Sequence, residues 1–285
     1  MKTAWVISLH MFRECKRRRI FWIVPLITTG FVGLYALGNY FAFESAGGTI
    51  RAEQGLLDAN ALAGASLVGL SMFVTLFLAS SLGIFLTFSA VRGDAEVGVL
   101  QQLVVRPVAR GGLLAGRFLG ASLLCGAYAL FLYLACVLVT GLTGGWWPTP
   151  FLLPGLALVA AVVVVVALSL LGSCFLTALP NGIVMFMIFG AGLLGGLLAQ
   201  LGEALRSPSL QTTGRVTSWL LPFEALYQAG LNSLTSSATG LARVIVRLGP
   251  LGGAQEGGPL LALWVLAYVA AVACAGLFVF GRKDL

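Results

Sequence analysis

Long stretches without a single charged residue constrain this chain more than any other feature. They cover residues 20–43, 59–91, 118–151, 151–202 and 257–281. A helix that crosses a membrane needs about 20 apolar residues, because the hydrocarbon core is about 30 Å thick and each residue rises about 1.5 Å. The stretch from 151 to 202 is too long for one crossing, so it predicts two membrane helices. The whole chain is therefore predicted to have six. The predicted bounds of these membrane helices are 20–43, 62–91, 117–141, 151–179, 183–202 and 259–281.

The composition excludes an ordinary soluble protein. Of the 285 residues, 59% are hydrophobic and 9% are charged, whereas soluble domains carry about 25% charged residues. A globule of this size could not cover its surface with so few polar side chains. The 37 glycines suit helices that pack closely in lipid. The sequence therefore predicts an all-α membrane protein with a single transmembrane domain over residues 1–285.

Proline, asparagine and glycine interrupt the longest apolar stretch at residues 180–182. Proline lacks a backbone donor, and Asn-Gly favours left-handed turn geometry. The sequence predicts a tight turn here, between the fourth and fifth membrane helices. The alternative is one kinked helix of about 50 residues, which would overshoot any bilayer.

Basic residues set the orientation, because the cytoplasmic loops of membrane proteins are enriched in lysine and arginine. Twelve of the 17 basic residues fall on one side of a six-helix arrangement. They are Lys2, Arg13, Lys16, Arg17, Arg18, Arg19, Arg92, Arg106, Arg110, Arg117, Arg282 and Lys283. Both termini are therefore expected in the cytoplasm, with residues 203–258 as a long extracytoplasmic loop. The net charge of +7 follows from this topology, so nucleic acid is not an expected partner.

The first 19 residues are predicted to form an amphipathic segment on the cytoplasmic leaflet. Trp5, Leu9 and Phe12 recur at helical spacing, while Lys16 and Arg17 supply positive charge. Such a helix lies along the membrane surface and buries its apolar side chains in lipid. A cleaved signal peptide is disfavoured, because no small-residue cleavage site follows the apolar run.

Two features of the last third of the chain predict close helix contacts. Short outer helices are expected between the fifth and sixth membrane helices, one of them at residues 222–230, which begin with proline, carry Glu224 near the positive helix end and finish with glycine. The apolar residues 216–221 before it indicate that this segment dips into the membrane, and a surface helix is an equal alternative. Gly192 and Gly196, four residues apart, predict a close approach of two helices, within the chain or between two copies.

The cytoplasmic segment at residues 92–112 is predicted to contain a short amphipathic helix. Acidic residues near its start suit the positive end of a helix. Val97, Leu100 and Val104 recur at three- and four-residue steps, and Pro107 ends the pattern. A helix like this, continuous with two membrane helices, suits a groove on a partner protein. An interfacial loop helix is the open alternative.

The chain lacks the residues that enzymes, metal sites and ion-coupled carriers need. His10 is its single histidine and lies in the N-terminal segment, so no base within the membrane could activate a serine. The five cysteines are scattered without a Cys-x-x-Cys pair, and no metal site is expected. Ion-coupled carriers use charged residues inside their spans, and the six predicted spans have none in their interiors. A charge-free path suits an amphiphilic cargo or a protein driven by force applied elsewhere.

The segment from Phe88 to Gly120 resembles the permease subunits of the ABC-2 family of ABC transporters. The family pattern is a Glu-x-x-x-Gly-Thr-Leu-like run, a leucine-rich stretch, Arg-Pro-Val-x-Arg and then Gly-Arg. The matching residues are Glu96, Gly98, Leu100, Gln101, Leu103, Arg106, Pro107, Val108, Arg110, Gly116 and Arg117. Val99 departs from the usual threonine. The ending at 280–285 and the proline-bearing run at 221–224 also resemble family motifs.

The resemblance implies a complex of two permeases and two ATPase subunits. This chain has no phosphate-binding Gly-x-x-x-x-Gly-Lys-Ser/Thr loop. We therefore expect it to be no enzyme and to bind no cofactor itself, with ATP and Mg²⁺ on the partner ATPase. The helix at 92–112 is expected to contact that partner and carry its motion into the membrane. The expected contact residues are Glu96, Gly98, Leu100, Leu103, Arg106 and Pro107.

Export across the inner (plasma) membrane of a prokaryote is the function that the resemblance implies. The second permease is either another copy or a sister chain. Permeases of multicopper-enzyme maturation and exporters of drugs or lipids share this architecture. Two other functions stay open: a membrane scaffold for an ATPase that acts in assembly or lipid remodelling, and an ion-coupled carrier.

Overall fold

The computed structural model describes residues 20–49, 59–88, 90, 110–235, 258 and 260–282. These residues form eight α-helices and no strand. The helices are α1 Ile20–Thr49, α2 Ala59–Thr87, α3 Arg110–Gly144, α4 Leu152–Phe175, α5 Ala178–Ala204, α6 Pro208–Leu220, α7 Pro222–Thr235 and α8 Leu260–Arg282. The predicted all-α fold class is confirmed for the described part of the chain.

Six helices, α1 to α5 and α8, are long and apolar enough to cross a membrane, which confirms the predicted number of spans. The other two, α6 and α7, have 13 and 14 residues and are too short to cross. The third span begins at Arg110 rather than at residue 117, so its first two turns include residues assigned from the sequence to the cytoplasmic segment. A helix can continue past the hydrocarbon core because its backbone hydrogen bonds are formed within the helix.

Helix α4 lies at the centre of the bundle and packs against α2, α3, α5, α7 and α8. It is apolar on all sides, as a helix surrounded by other helices must be. The outer helices leave large apolar side chains uncovered, among them Leu26, Leu142 and Leu179, each more than 70% exposed. Exposed apolar surface of this extent suits lipid rather than water.

Contacts between helices show which helix ends lie at the same end of the bundle. Helices α1 and α3 run parallel, because Thr28 bonds Tyr128 at 2.8 Å and, further along both helices, Tyr35 bonds Thr140 at 2.7 Å. The last turns of α8 lie against the first turns of α3, where Gly276 faces Leu114. Residues 20, 90, 110 and 282 therefore lie at one end, here called the termini end. Its cytoplasmic location stays a prediction.

The break between α4 and α5 lies at residues 176–177, so the predicted turn at 180–182 is wrong in position. Those three residues form part of the first turn of α5 instead. Proline fits there because the first backbone N–H groups of a helix have no partner within the helix. The first regular bond runs from the Asn181 N–H to the Thr177 carbonyl at 3.0 Å. Helices α4 and α5 are nevertheless separate, as predicted from the length of the apolar stretch at 151–202.

Helices α6 and α7 form a hairpin that enters the bundle, here called the re-entrant hairpin (residues 208–235). Helix α6 runs antiparallel to α5, since Gln211 donates to the Gly202 carbonyl at 3.0 Å and Thr217 lies against Gly195. Helix α7 then starts at the level of Phe189, which stacks on Phe223 with ring centroids 5.4 Å apart. Thirteen residues of α5 separate Phe189 from Gly202, a depth of about 20 Å. The structure thus favours the predicted dip into the bundle over a surface helix.

Candidate functional site

A buried polar junction joins α2, α4 and α5 at the termini end. The Asn181 amide donates from Nδ2 to the carbonyl oxygens of Phe88 at 3.1 Å and Ser169 at 3.0 Å. The Thr87 hydroxyl donates to Ser169 Oγ at 2.8 Å. The side chains of Thr87, Ser169 and Asn181 are fully buried, and the Asn181 side chain fits because Gly172 opposite has none. This junction therefore fastens the last residue of α2 to the break between α4 and α5.

An apolar cluster beside the junction adds α3 and α8 to the same assembly. It contains Ala90, Leu114, Leu170, Cys174 and Phe280, all buried. Two members of this cluster, Ala90 and Leu114, flank the segment at 92–112, which is predicted to be cytoplasmic. A displacement of that segment would therefore act on α2 and α3 directly, and on α4, α5 and α8 through buried contacts.

Most residues that the sequence singled out lie outside the described residues. For the expected ATPase contact these are Glu96, Gly98, Leu100, Leu103, Arg106 and Pro107. For the membrane-surface segment they are Trp5, Leu9, Phe12, Lys16 and Arg17. Their roles stay predictions, and the structure supplies the surroundings in which the first group would act.

Gly192 and Gly196 lie on the face of α5 that receives the re-entrant hairpin. A Cβ atom on Gly192 would overlap the ring of Phe223, and one on Gly196 would overlap the carboxylate of Glu224. The small-residue pair therefore permits a close approach within the chain, between α5 and α7. Sequence reasoning could not name this partner, because a glycine pair indicates close packing and not what packs there.

Glu224 brings a carboxyl group into the interior of the bundle. It is 2% exposed, and its Oε1 accepts a bond from Gln228 Nε2 at 2.8 Å. Within the described residues, its Oε2, the Tyr227 hydroxyl and Gln228 Oε1 have no hydrogen-bond partner. Burial away from water raises the pKa of Glu224 to about 7, opposed in part by the bond from Gln228.

Sequence reasoning missed the burial of Glu224 because it examined the spans alone. The spans do lack acidic residues in their interiors, but the re-entrant hairpin inserts one from outside them. The signal that could have found it is the apolar run at 216–221 directly before the acidic residue. Among the described residues, no group of three or more His, Cys, Asp or Glu side chains is placed to hold a metal ion.

Comparison with known proteins identifies the family. A family model described as "ABC-2 family transporter protein" matches residues 5–285, nearly the whole chain. The chain belongs to the ABC-2 family. No curated protein matches it. An ABC-2 chain with six apolar helices is a multi-pass membrane protein, namely the non-enzymatic permease subunit of an ABC transporter. Permeases of this family generally work with an ABC ATPase subunit.

The buried junction of this ABC-2 permease gives a first testable prediction. Replacing Asn181 with alanine should lower the free energy of unfolding by about 1–3 kcal/mol, because buried carbonyls lose their donor. Thermal unfolding of the purified full-length chain measures this. Thr143→Ala is the matched control, since the Thr143 hydroxyl is exposed and bonds within its own helix. Equal stabilities of the two variants would contradict the role given to the junction.

Proposed function

We propose that this chain is the permease of an ATP-driven exporter, powered by a separate ATPase subunit that binds ATP and Mg²⁺. The cytoplasmic segment at 92–112 receives the motion of the ATPase. Family membership supports the partnership, and the resemblance of this segment to the family pattern supports the location of the contact. The proposed contact residues are Glu96, Gly98, Leu100, Leu103, Arg106 and Pro107.

The observation that carries this proposal is the bond from Asn181 to the Phe88 carbonyl. Phe88 is followed within a few residues by the proposed coupling segment, and Asn181 lies in the first turn of α5. A force on the segment would therefore reach α5 without passing along the length of α2. The α5 helix in turn holds the re-entrant hairpin at Gly192 and Gly196. These contacts connect Phe88, at the start of the proposed coupling segment, with the re-entrant hairpin.

The composition of the spans supports an amphiphilic cargo. Their interiors have no acidic side chain, and buried polar groups such as Thr75 and Ser80 are small hydroxyls. A second permease, either another copy or a sister chain, completes the proposed transporter. Outward transport, with the termini end in the cytoplasm of a prokaryotic cell, follows the distribution of basic residues and the family resemblance.

Charge inserted into the proposed contact should uncouple the two subunits. Leu100→Asp or Leu103→Asp should lower the ATP hydrolysis that the permease stimulates by at least about tenfold, because a carboxylate replaces an apolar contact. The assay uses the permease co-purified with its cognate ABC ATPase. Gln102→Asp is the matched control, since residue 102 lies off the apolar stripe of the predicted helix. Wild-type stimulation in both leucine variants would overturn the assigned contact.

A transport assay in liposomes separates the proposed exporter from the two other functions. ATP-dependent movement of an amphiphilic dye, lost in Leu100→Asp, supports the exporter. ATP hydrolysis without any transport by the intact complex supports a scaffold in assembly or lipid remodelling. Transport driven by an ion gradient in the absence of an ATPase supports an ion-coupled carrier and contradicts the proposal.

A further inference from the structure

An open cleft of about 410 Å³ separates the re-entrant hairpin from α8. Glu203 near the end of α5 and Gln211 and Arg215 of α6 supply polar groups. Trp219 of α6 and Trp264 of α8 supply aromatic surface, with ring centroids 5.1 Å apart. A volume of this size is within the range of sites for small ligands.

The cleft lies at the end of the bundle opposite the termini end, where two spans begin and finish. Glu203 is the last residue of the apolar stretch of α5, and Leu260 is the first residue of α8. The level at which spans end is the boundary between hydrocarbon and water, where tryptophan is enriched in membrane proteins. Trp219 is 59% exposed and Leu260 is 75% exposed, so apolar surface continues from the cleft towards the lipid.

Two opposite charges line this cleft, and they do not neutralise each other. Glu203 and Arg215 are exposed and belong to different helices. Neither of them forms an ion pair with any other residue that the structure describes. An anion alone would satisfy Arg215 and be repelled by Glu203. A ligand that carries both a negative and a positive group satisfies both side chains.

Direct contact between the hairpin and α8 is sparse in this region. The hairpin packs mainly on α4 and α5, and α7 has few contacts with α8. One hydrogen bond crosses from Trp264 Nε1 to the Trp219 carbonyl at 3.3 Å. Among the described residues the cleft is therefore a gap between the re-entrant hairpin and α8, and a molecule that fills it would join the two walls.

We propose that this cleft binds the headgroup of a phosphoethanolamine lipid. The phosphate accepts hydrogen bonds from Arg215, and the primary ammonium donates to Glu203. The glycerol and upper acyl chains lie along Trp219 and Leu260. Choline carries no N–H to donate to a carboxylate, and an anionic headgroup leaves Glu203 without a partner, so this chemistry selects the amine. If the termini end lies in the cytoplasm, as in the proposed function, the bound lipid belongs to the outer leaflet. Binding of the lipid itself requires neither the ATPase nor transport.

Native mass spectrometry of the full-length chain in detergent tests this site directly. Phosphatidylethanolamine, phosphatidylglycerol and phosphatidylcholine with identical acyl chains are added separately at equal concentration. One phosphatidylethanolamine per chain should remain bound, with an affinity at least about tenfold above that for the other two lipids. Equal retention of all three would mean non-specific lipid only and would overturn the assignment.

Variants of the two charged residues complete the test. Arg215→Gln and Glu203→Gln should each weaken phosphatidylethanolamine binding by at least about tenfold, since each removes a charge-assisted hydrogen bond. Arg206→Gln is the matched control and should bind as the wild type does, because Arg206 is an exposed cation outside the cleft. Thermal unfolding without added lipid checks that all three variants are folded. Wild-type binding by Arg215→Gln and Glu203→Gln would overturn the proposal even if the chain proves to be an exporter.

Discussion

Replacing Glu224 with glutamine should remove most of the dependence of this protein's stability on pH between 5 and 8. Glutamine has the size of glutamic acid and stays neutral, so it can occupy the buried position at any pH. In the wild type, burial raises the pKa of Glu224 from 4.5 to about 7. A carboxyl group buried in this way must remain protonated or carry an uncompensated charge inside the bundle.

The direction of the effect follows from the two pKa values. Below pH 4.5 Glu224 is protonated whether or not the hairpin is packed, and the packed state is fully stable. As the pH rises from 4.5 to about 7, the unpacked carboxyl group loses its proton while the packed one still keeps it. The packed state therefore loses stability, by up to about 3 kcal/mol, since a tenfold change in proton affinity corresponds to about 1.4 kcal/mol.

Thermal unfolding of the purified full-length chain from pH 5 to pH 8.5 measures this effect. The wild type should unfold at progressively lower temperature as the pH rises to about 7 and should level off above it, so Glu224→Gln should exceed it most at the alkaline end. Glu44→Gln is the matched control, because Glu44 is an exposed glutamate at the far end of α1. A Glu224→Gln protein whose curve parallels that of the wild type would show that packing does not raise the pKa of this carboxyl group.

The second large effect is expected where α5 receives the re-entrant hairpin. Alanine at Gly192 should destabilise the protein by about 1–3 kcal/mol, because its methyl group overlaps the ring of Phe223. That ring cannot move aside freely, since it is fully buried and stacked on Phe189. Alanine at Gly196 should cost a similar amount by displacing the Glu224 carboxylate from its bond with Gln228.

Gly190 provides the matched control for this prediction. It lies two residues before Gly192 on the same helix, and a Cβ atom there meets nothing within 4 Å. Alanine at Gly190 should therefore stabilise the chain slightly, by up to about 1 kcal/mol, because alanine favours the helix over glycine. The order of unfolding temperatures should be Gly190→Ala above wild type, with Gly192→Ala and Gly196→Ala below it. If all three variants unfold together, the hairpin is not seated on these glycines.

The number of spans could be predicted from the sequence because the membrane sets a length that apolar runs must match. The exact break between α4 and α5 could not, since the proline at 180 is compatible with both a turn and a first helical turn. The bounds of helix α6 were not predicted either. Its apolar residues are few and lie among threonines, Arg215 and Gly214, and Gly214 is buried by direct contact with Ala199. A serine followed by proline at 207–208 is the local signal for its start.

The polar junction and the position of Glu224 depend on contacts between residues far apart in the chain. Asn181 lies 93 residues from Phe88, and no local pattern indicates that the two meet. The same holds for Gly196 and Glu224, which belong to different helices. The resemblance to a family suggested the role proposed for the segment at 92–112, while the structure supplied the contacts by which a force applied there would spread.

Photocrosslinking from residue 100 in intact cells tests the central claim most directly. A photoreactive amino acid in place of Leu100 should capture an ABC ATPase subunit, identified by peptides that include its phosphate-binding loop. The same amino acid in place of Trp147, which is exposed at the opposite end of the bundle, should not. Capture of the ATPase from position 100 and not from position 147 is the result predicted for an ATP-driven permease. Capture from position 147 alone, or labelling of position 100 by a reagent that cannot enter the cell, would contradict it.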